Sequence, residues 1–190
     1  AKLEAVCGEI RDLLGAVVYG EGDETMASVV GQLLAQHSAT IATAESCTGG
    51  LLAEQITPVA GASEDFAGGV ISYSNEIKQS QLGVPEALLV EHGAVSEPVA
   101  VAMAEGVRDR FGTDFGVSTT GISGPAGGTE TKPVGLVCVA LARRGMPTHD
   151  VTSVFPPDRR RHRTPTVPAF SHTPLLTPTI LRASTSLLPT

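Results

Sequence analysis

The chain has 190 residues, 42% of them hydrophobic, which suits one folded domain with a real core and excludes a disordered chain. Aromatic residues make up only 4% and Trp is absent, so the core must be built from Val, Ala, Leu and Ile. A net charge of -7 argues against a general nucleic-acid binder, which carries a basic face.

Residues 2–18 read as a helix or as the tail of an upstream connection. "VVYGEGDET" is a turn rich in Gly and acidic residues. Thr25 with Ser28 then precedes a helix, "MASVVGQLLAQH", whose apolar residues at 26, 29, 30, 33 and 34 form one face. "ATIATA" is a short strand. "GGLLAEQI" begins a helix that Pro58 limits. "DFAGGVISYS" is a strand with Tyr73 at its end. "NEIKQSQL", closed by Gly83, and "PEALLVEH" are short helices. "SEPVAVAMAEGVRDRFG" is the clearest helix, with Ser96 as N-cap, Pro98 in the first turn and Gly112 as the stop. "DFGVSTTG" and "VGLVCVALA" are strands apolar almost throughout, as expected when both faces are covered. Strands alternating with helices predict an α/β layered sheet.

From Met146 onward the composition shifts. Eight of the thirteen prolines fall there, with Asp150 and Asp158 as the only acids. Prolines recur too often for a helix, so 156–190 reads as an irregular tail. The domain plan is a 1–25 N-terminal helical linker, a 26–155 domain and this tail. Cys7, Cys47 and Cys138 form no C-x-x-C pair and fit free thiols in a reducing cytoplasm. Residues 1–10 lack a secretory signal, and no apolar run reaches the roughly 18 residues a membrane span needs.

Chemistry concentrates in two places. The first is Ser46 in "ATAESCTGG", where a strand turns into a helix. The first N–H groups of a helix lack partners and can hold an oxyanion. Ser46 is therefore a candidate nucleophile, and Ser46 or Thr48 is equally a candidate helix cap. Cys47 is a rival nucleophile, or a small buried hydrophobe. A serine nucleophile needs a base, for which His92 and Lys78 are candidates, the lysine if desolvation lowers its pKa. The second place is "TTGISGPAGGTETKPVG", with Gly121, Gly124, Gly127, Gly128 and Gly135. It is either a phosphate-cradling loop or a flexible connection, and Lys132 is its only cation. It is not a P-loop. No metal-ligand spacing appears among the five histidines.

The segments "TAESCTGGLLAEQIT", "GGVISYSNEIKQSQLGV", "HGAVSEPVAVAMAEG" and "STTGISGPAGGTETKPVGLVCVALA" together closely resemble the CinA C-terminal domain family, which includes bacterial nicotinamide mononucleotide amidases. The resemblance runs from about Met26 to Ala142. It implies a three-layer α/β/α sandwich with a mostly parallel sheet. It implies hydrolysis of nicotinamide mononucleotide to nicotinate mononucleotide and ammonia, with no cofactor and no metal. Position by position it puts the nucleophile on Ser46, the base on Lys78 and a relaying or orienting tyrosine on Tyr73. The oxyanion amides fall at Cys47, Thr48, Gly49 and Gly50. The substrate pocket falls at Glu45, Gly121, Ile122, Ser123, Gly124, Gly127 and Gly128. The implied partners are a pyridine mononucleotide and further copies of the chain, a dimer or larger, in the cytoplasm, without direct nucleic-acid or membrane contact. Two other readings stand beside it: a nucleotide-binding interaction module of a competence or damage response, and a Cys47 hydrolase.

The segment "LGAVVYGEGDETMASVVGQLL" and the opening Ala1 fit a piece of a longer two-domain protein whose other half is molybdopterin-binding-like. In the family the last strand leads to a phenylalanine, a G-D-R-like turn and a long amphipathic helix. Here Phe155, Asp158 and Arg159 match, Pro157 replaces the glycine, and the helix pattern is lost. The proline- and arginine-rich composition is what out-of-frame translation of a GC-rich gene gives.

Overall fold

The computed structural model describes residues 2–15 and 18–155. The predicted tail, 156–190, lies outside them. Five strands form one sheet: β1 (Ile41–Glu45), β2 (Phe66–Ile71), β3 (Phe115–Gly121), β4 (Leu136–Arg143) and β5 (His149–Val154), in the order β2-β1-β3-β4-β5. β1 pairs parallel with β2 and β3, while β4 runs antiparallel to β3 and β5. The parallel part of this mixed sheet is the part that carries the chemistry described below.

Helices cover both faces, as the α/β reading requires. On one face α2 (Met26–Gln36) and α3 (Leu51–Ile56) set Leu33, Leu34 and Leu52 against Ile41, Phe115, Val117, Val137, Val139 and Leu141. On the other, α5 (Asn75–Leu82), α6 (Glu86–His92) and α7 (Glu97–Phe111) set Leu82, Leu89, Val99, Met103 and Val107 against Ala42 and Ala44. β4 shows why its sequence is apolar throughout. Val137, Val139 and Leu141 face the first layer, and Cys138, Ala140 and Ala142 face Ala100 and Ala104 of α7. Small residues on that second face let α7 lie close to the sheet. A Cβ on Gly116 of β3 would stand 2.1 Å from the Ala104 carbonyl oxygen.

Local signals explain most boundaries. Thr25 caps α2 through a reciprocal capping box with Ser28. Gly83 and Gly112 close α5 and α7 in the left-handed conformation, at φ 68° and 67°. Several expectations need correction. Ser96 begins α7 but does not cap it with its side chain, because its hydroxyl donates to the Gly93 carbonyl at 2.9 Å. α3 starts at Leu51, not Gly49, because Gly49 and Gly50 sit at φ 61° and 101°. β2 ends at Ile71 rather than at Tyr73, because the chain turns so that Ser74 can cap α5. β5, an edge strand with half-exposed alternating residues, was not among the strands read from hydrophobic pattern, although the resemblance implied a last strand before Phe155. α1 (Lys2–Leu14) takes the helical of the two readings of 2–18, over a shorter span, and α4 (Ala62–Asp65) is a single further turn.

α7 also approaches α5 closely: a Cβ on Gly106 would stand 1.9 Å from the Leu82 carbonyl oxygen. That atom is backbone and cannot swing aside. Gly106→Ala is therefore expected to destabilise the domain by about 3 kcal/mol, the upper part of the usual overpacking range. A thermal melt followed by circular dichroism checks this, with Tm expected to fall by roughly 10 °C.

Candidate active site

The carboxyl ends of β1, β2 and β3 lie side by side at one edge of the parallel sheet. From β1 the chain leaves over one face, through α3 and α4, to reach β2 on one side. It then returns over the other face, through α5 to α7, to reach β3 on the opposite side. A crevice at such a reversal is where open α/β sheets bind ligands. Ser46 is the first residue past β1, and Ser72 the first past β2.

Ser46 is not a helix cap. Its amide donates to the Thr119 carbonyl at 2.9 Å, extending the β1–β3 ladder by one bond. Its hydroxyl lies 3.1 Å from Lys78 Nζ. Thr48 does not cap α3 with its side chain either, because its hydroxyl pairs with that of Thr119 at 2.7 Å. Lys78 reaches the serine from the first turns of α5. Its side chain is only 1% exposed, and its Nζ also donates to the Ser72 carbonyl at 2.6 Å. Burial lowers the lysine's pKa below the usual value of 10.5, with the Cys47 thiol acting weakly in the other direction. The two residues expected as nucleophile and base thus meet in one buried hydroxyl–amine pair. His92, the other candidate base, lies at the end of α6 beside Glu91, at 3.7 Å, and its carbonyl accepts from Lys132.

The neighbouring Cys47 is in a different environment. Burial pushes its thiol up to about 12, helped by the Glu45 charge and opposed by the amides of Cys47 and Thr48. It packs against the start of the glycine-rich loop, where a Cβ on Gly121 would stand 3.0 Å from its Sγ. Its reading as a small buried hydrophobe is the one its surroundings favour.

Glu45 is corrected most. Expected at the substrate, its carboxylate turns inward instead, 1% exposed. It accepts the amides of Gly50 at 2.9 Å, Leu52 at 3.1 Å and Ala53 at 2.8 Å, capping α3. The Gly50 amide is thereby engaged by a charged acceptor. The amides of Cys47 and Thr48 act on the weakly accepting Cys47 thiol, and with Gly49 they are the remaining expected oxyanion donors. Tyr73 also differs from expectation. It is 65% exposed at the surface, and the groups that orient Lys78 are the Ser72 carbonyl and the Ser46 hydroxyl.

The glycine-rich loop begins at the site and then folds back on itself. The Ile122 amide donates to the Leu136 carbonyl at 2.8 Å, and Gly135 returns a bond to the Ile122 carbonyl at 2.8 Å. Gly124 and Gly128 pack on Val134, where added Cβ atoms would stand 2.5 Å and 2.9 Å from its side chain. Ser123 and Gly127 lie in the same return. Lys132 is not poised over a phosphate. Its Nζ donates to the carbonyls of His92 at 2.5 Å and Val95 at 2.7 Å, tying the loop to the start of α7. A groove of about 730 Å³ between α2 and the α3–α4 segment, lined by Thr25, Gln32, Gln55 and Val59, contains neither Ser46 nor Lys78. Among the described residues no cluster of three or more His, Cys, Asp or Glu is placed to hold a metal, and no helix is long and apolar enough to cross a membrane.

Pattern did not single out Ser72 or Thr119. Ser72 acts through its backbone carbonyl, which leaves no side-chain signal. Thr119 was hidden in a strand read as apolar. The run Ser118-Thr119-Thr120 is a usable signal in hindsight, because three hydroxyls in a buried strand must each find a partner. They do so at Ala100, Thr48 and Ala94.

Known proteins resemble this chain in sequence and fold. Residues 23–171 match the family model of the CinA C-terminal domain. A CinA-like protein of Synechococcus sp. strain CC9902 is 58% identical over 130 residues, 68% of this chain and 31% of that protein. Another from Gemmatimonas aurantiaca is 53% identical over 136 residues, 72% of this chain and 32% of that protein. The chain thus spans about a third of the length of these curated relatives. The crystal structure of the competence/damage inducible protein CihA from Agrobacterium tumefaciens superposes with a TM-score of 0.71 at 34% identity, covering 79% of this chain and 94% of that one. A competence-damaged protein (CinA) superfamily structure from Klebsiella pneumoniae gives 0.76 at 29% identity, over 83% and 96%. The chain belongs to the CinA C-terminal domain family.

Proposed function

We propose that this domain hydrolyses a carboxamide, that of nicotinamide mononucleotide, to nicotinate mononucleotide and ammonia. The observation that carries the reaction class is the Ser46–Lys78 pair, 3.1 Å apart and shielded from water. The choice of substrate rests on the family resemblance.

In this reading Lys78 is neutral in the resting site. Ser46 Oγ attacks the carboxamide carbon while its proton passes to Lys78 Nζ. The carbonyl oxygen becomes an oxyanion held by turn amides among Cys47, Thr48 and Gly49. The carbon–nitrogen bond then breaks. Lys78 gives its proton to the departing nitrogen, which leaves as ammonia, and a nicotinoyl ester remains on Ser46. Water, deprotonated by Lys78, cleaves that ester, and the proton returns to Ser46. Tyr73 follows Ser72 in the chain and is exposed.

Ammonia release from nicotinamide mononucleotide by the purified chain tests the assignment. Turnover supports it; tight binding of the mononucleotide without turnover favours the interaction module instead. Ser46→Ala is expected to lower kcat by at least about a thousandfold, the scale on which serine hydrolases lose activity with their nucleophile. Full activity in that variant would rule out the serine mechanism.

The base has its own signature. The reactive form of Lys78 is neutral, and burial lowers the pKa at which it forms. The rate should therefore rise with pH through a single ionisation below the ordinary lysine value, then level off. Lys78→Arg, whose guanidinium cannot give up its proton, is expected to lose about 10²–10⁴-fold. Lys78→Met should lose as much yet melt no lower than wild type near neutral pH, since it removes a group whose charged form the fold disfavours. The sign follows from the lowered pKa: between the folded and unfolded values the unfolded chain binds more protons, so the lysine's cost is largest at lower pH.

Cys47→Ala should keep kcat within a few-fold, because a thiol pushed up to about 12 offers almost no thiolate near neutral pH. Loss of activity comparable to Ser46→Ala would instead assign the nucleophile to Cys47.

A further inference from the structure

We infer that Glu45 is a positioning residue for the hydrolytic pair, its buried carboxylate holding the turn that carries Ser46. The inference rests on the serine–lysine reading above but concerns a residue outside the reacting atoms.

α3 is a poor helix by itself. It has six residues, too few to be stable alone, and begins at a left-handed glycine with no side-chain cap from that residue. Its first amides need acceptors. Glu45 supplies them from five to eight residues upstream, taking the amides of Gly50, Leu52 and Ala53 on its two carboxylate oxygens. A negative charge at a helix start is also favoured by the dipole. The consequence is geometric. Residues 46 to 49 become a short closed loop, pinned at one end by the last residue of β1 and at the other by the same residue's side chain. Ser46 N and Thr48 Oγ1 are pinned in addition to Thr119.

The main chain of Glu45 reaches the other half of the pair. Its carbonyl accepts the Ser72 amide at 2.7 Å, and the Ser72 carbonyl accepts Lys78 Nζ at 2.6 Å. One residue thus sits between the nucleophile turn and the anchor of the base. Hydrogen bonds to a charged acceptor are the strong ones, and losing the acceptor leaves amides with no partner. Replacing the carboxylate by an amide of the same shape removes the charge and turns one acceptor oxygen into a donor facing a donor.

The test compares wild type, Glu45→Gln and Glu45→Asp by two readouts. One is the rate at which a fluorophosphonate probe labels Ser46, located by mass spectrometry and normalised to the folded fraction from circular dichroism. The other is kcat and KM for nicotinamide mononucleotide. Glu45→Gln is expected to label at least about tenfold more slowly, with kcat reduced in proportion and KM within about twofold, because the positioned group acts in the reaction and not in binding. Glu45→Asp keeps the charge one methylene short, and is expected to fall between Gln and wild type, which also covers the case of poor folding by the Gln variant. A folded Glu45→Gln or Glu45→Asp domain that labels at the wild-type rate overturns the inference. So does a rise in KM with kcat unchanged, which would return Glu45 to the substrate side. Wild type that labels at Ser46 but releases no ammonia from the mononucleotide overturns the substrate assignment alone, and leaves the positioning role to be decided by the labelling rates. Wild type whose Ser46 takes no label overturns both.

Discussion

An ammonium group loses most of its solvation when it is taken out of water, and the site depends on how this chain offsets that loss at Lys78. The side chain is 1% exposed and keeps two protein acceptors, the Ser72 carbonyl and the Ser46 hydroxyl. Neither carries a charge, so nothing close by fully repays the desolvation of the charged form, and the neutral amine gains ground. This is a property of the packing. α5 must follow its Ser74 cap for Lys78 to fall in its first turns, and α7 packs against α5. Gly106, with no room for a side chain beside the Leu82 carbonyl, lets the two helices close to that distance.

The second constraint is the use made of α3. A helix start offers unpaired amides, and a serine just upstream invites the idea that those amides bind the oxyanion. Here they are already engaged by Glu45. A buried carboxylate could not share the same amides with a second negative charge without repulsion. In the proposed reaction oxyanion binding would therefore fall to the turn between strand and helix, where rigidity matters more than the dipole behind it. The two bonds to Thr119 and the carboxylate of Glu45 are what a four-residue turn needs to hold donors in place.

Sequence pattern revealed the layers well, because they arise from periodicity. The alternating core of β4, the face of α2 with its Thr25 cap and the stop at Gly112 are all visible as residue types at spacings. The site was legible in part. Ser46 and Lys78 stood out as residue types near element ends, but pattern alone left capping and attack open, since both use a free hydroxyl at a turn. Contacts between distant segments show that Ser46 does not cap a helix and that its hydroxyl meets Lys78. Two parts were not legible for a physical reason. Ser72 contributes a backbone carbonyl, which any residue possesses. Glu45 was placed at the substrate by the resemblance alone, and only the path of α3 back over β1 shows that its carboxylate has a helix to cap. β5 was missed because an edge strand carries half the hydrophobic signal of a buried one.

In the proposed hydrolysis, adjacent residues at one turn favour oxygen over sulfur as the nucleophile. A cysteine nucleophile works as a thiolate, which needs a cation or a helix start to hold it. At this turn the helix start is occupied by Glu45, whose charge opposes a second anion, and burial pushes the Cys47 thiol up to about 12. The same dryness disfavours the lysine cation. A thiolate–ammonium pair would thus have to maintain two disfavoured charges throughout the resting state. In the proposed reading, a hydroxyl and a neutral amine keep none. Their charges arise only as the substrate reacts, with the oxyanion and the ammonium forming together in a medium where their attraction is strong. A site that excludes water and holds a serine against a lysine stores its electrostatic stabilisation for the transition state, which is the state an enzyme must bind best.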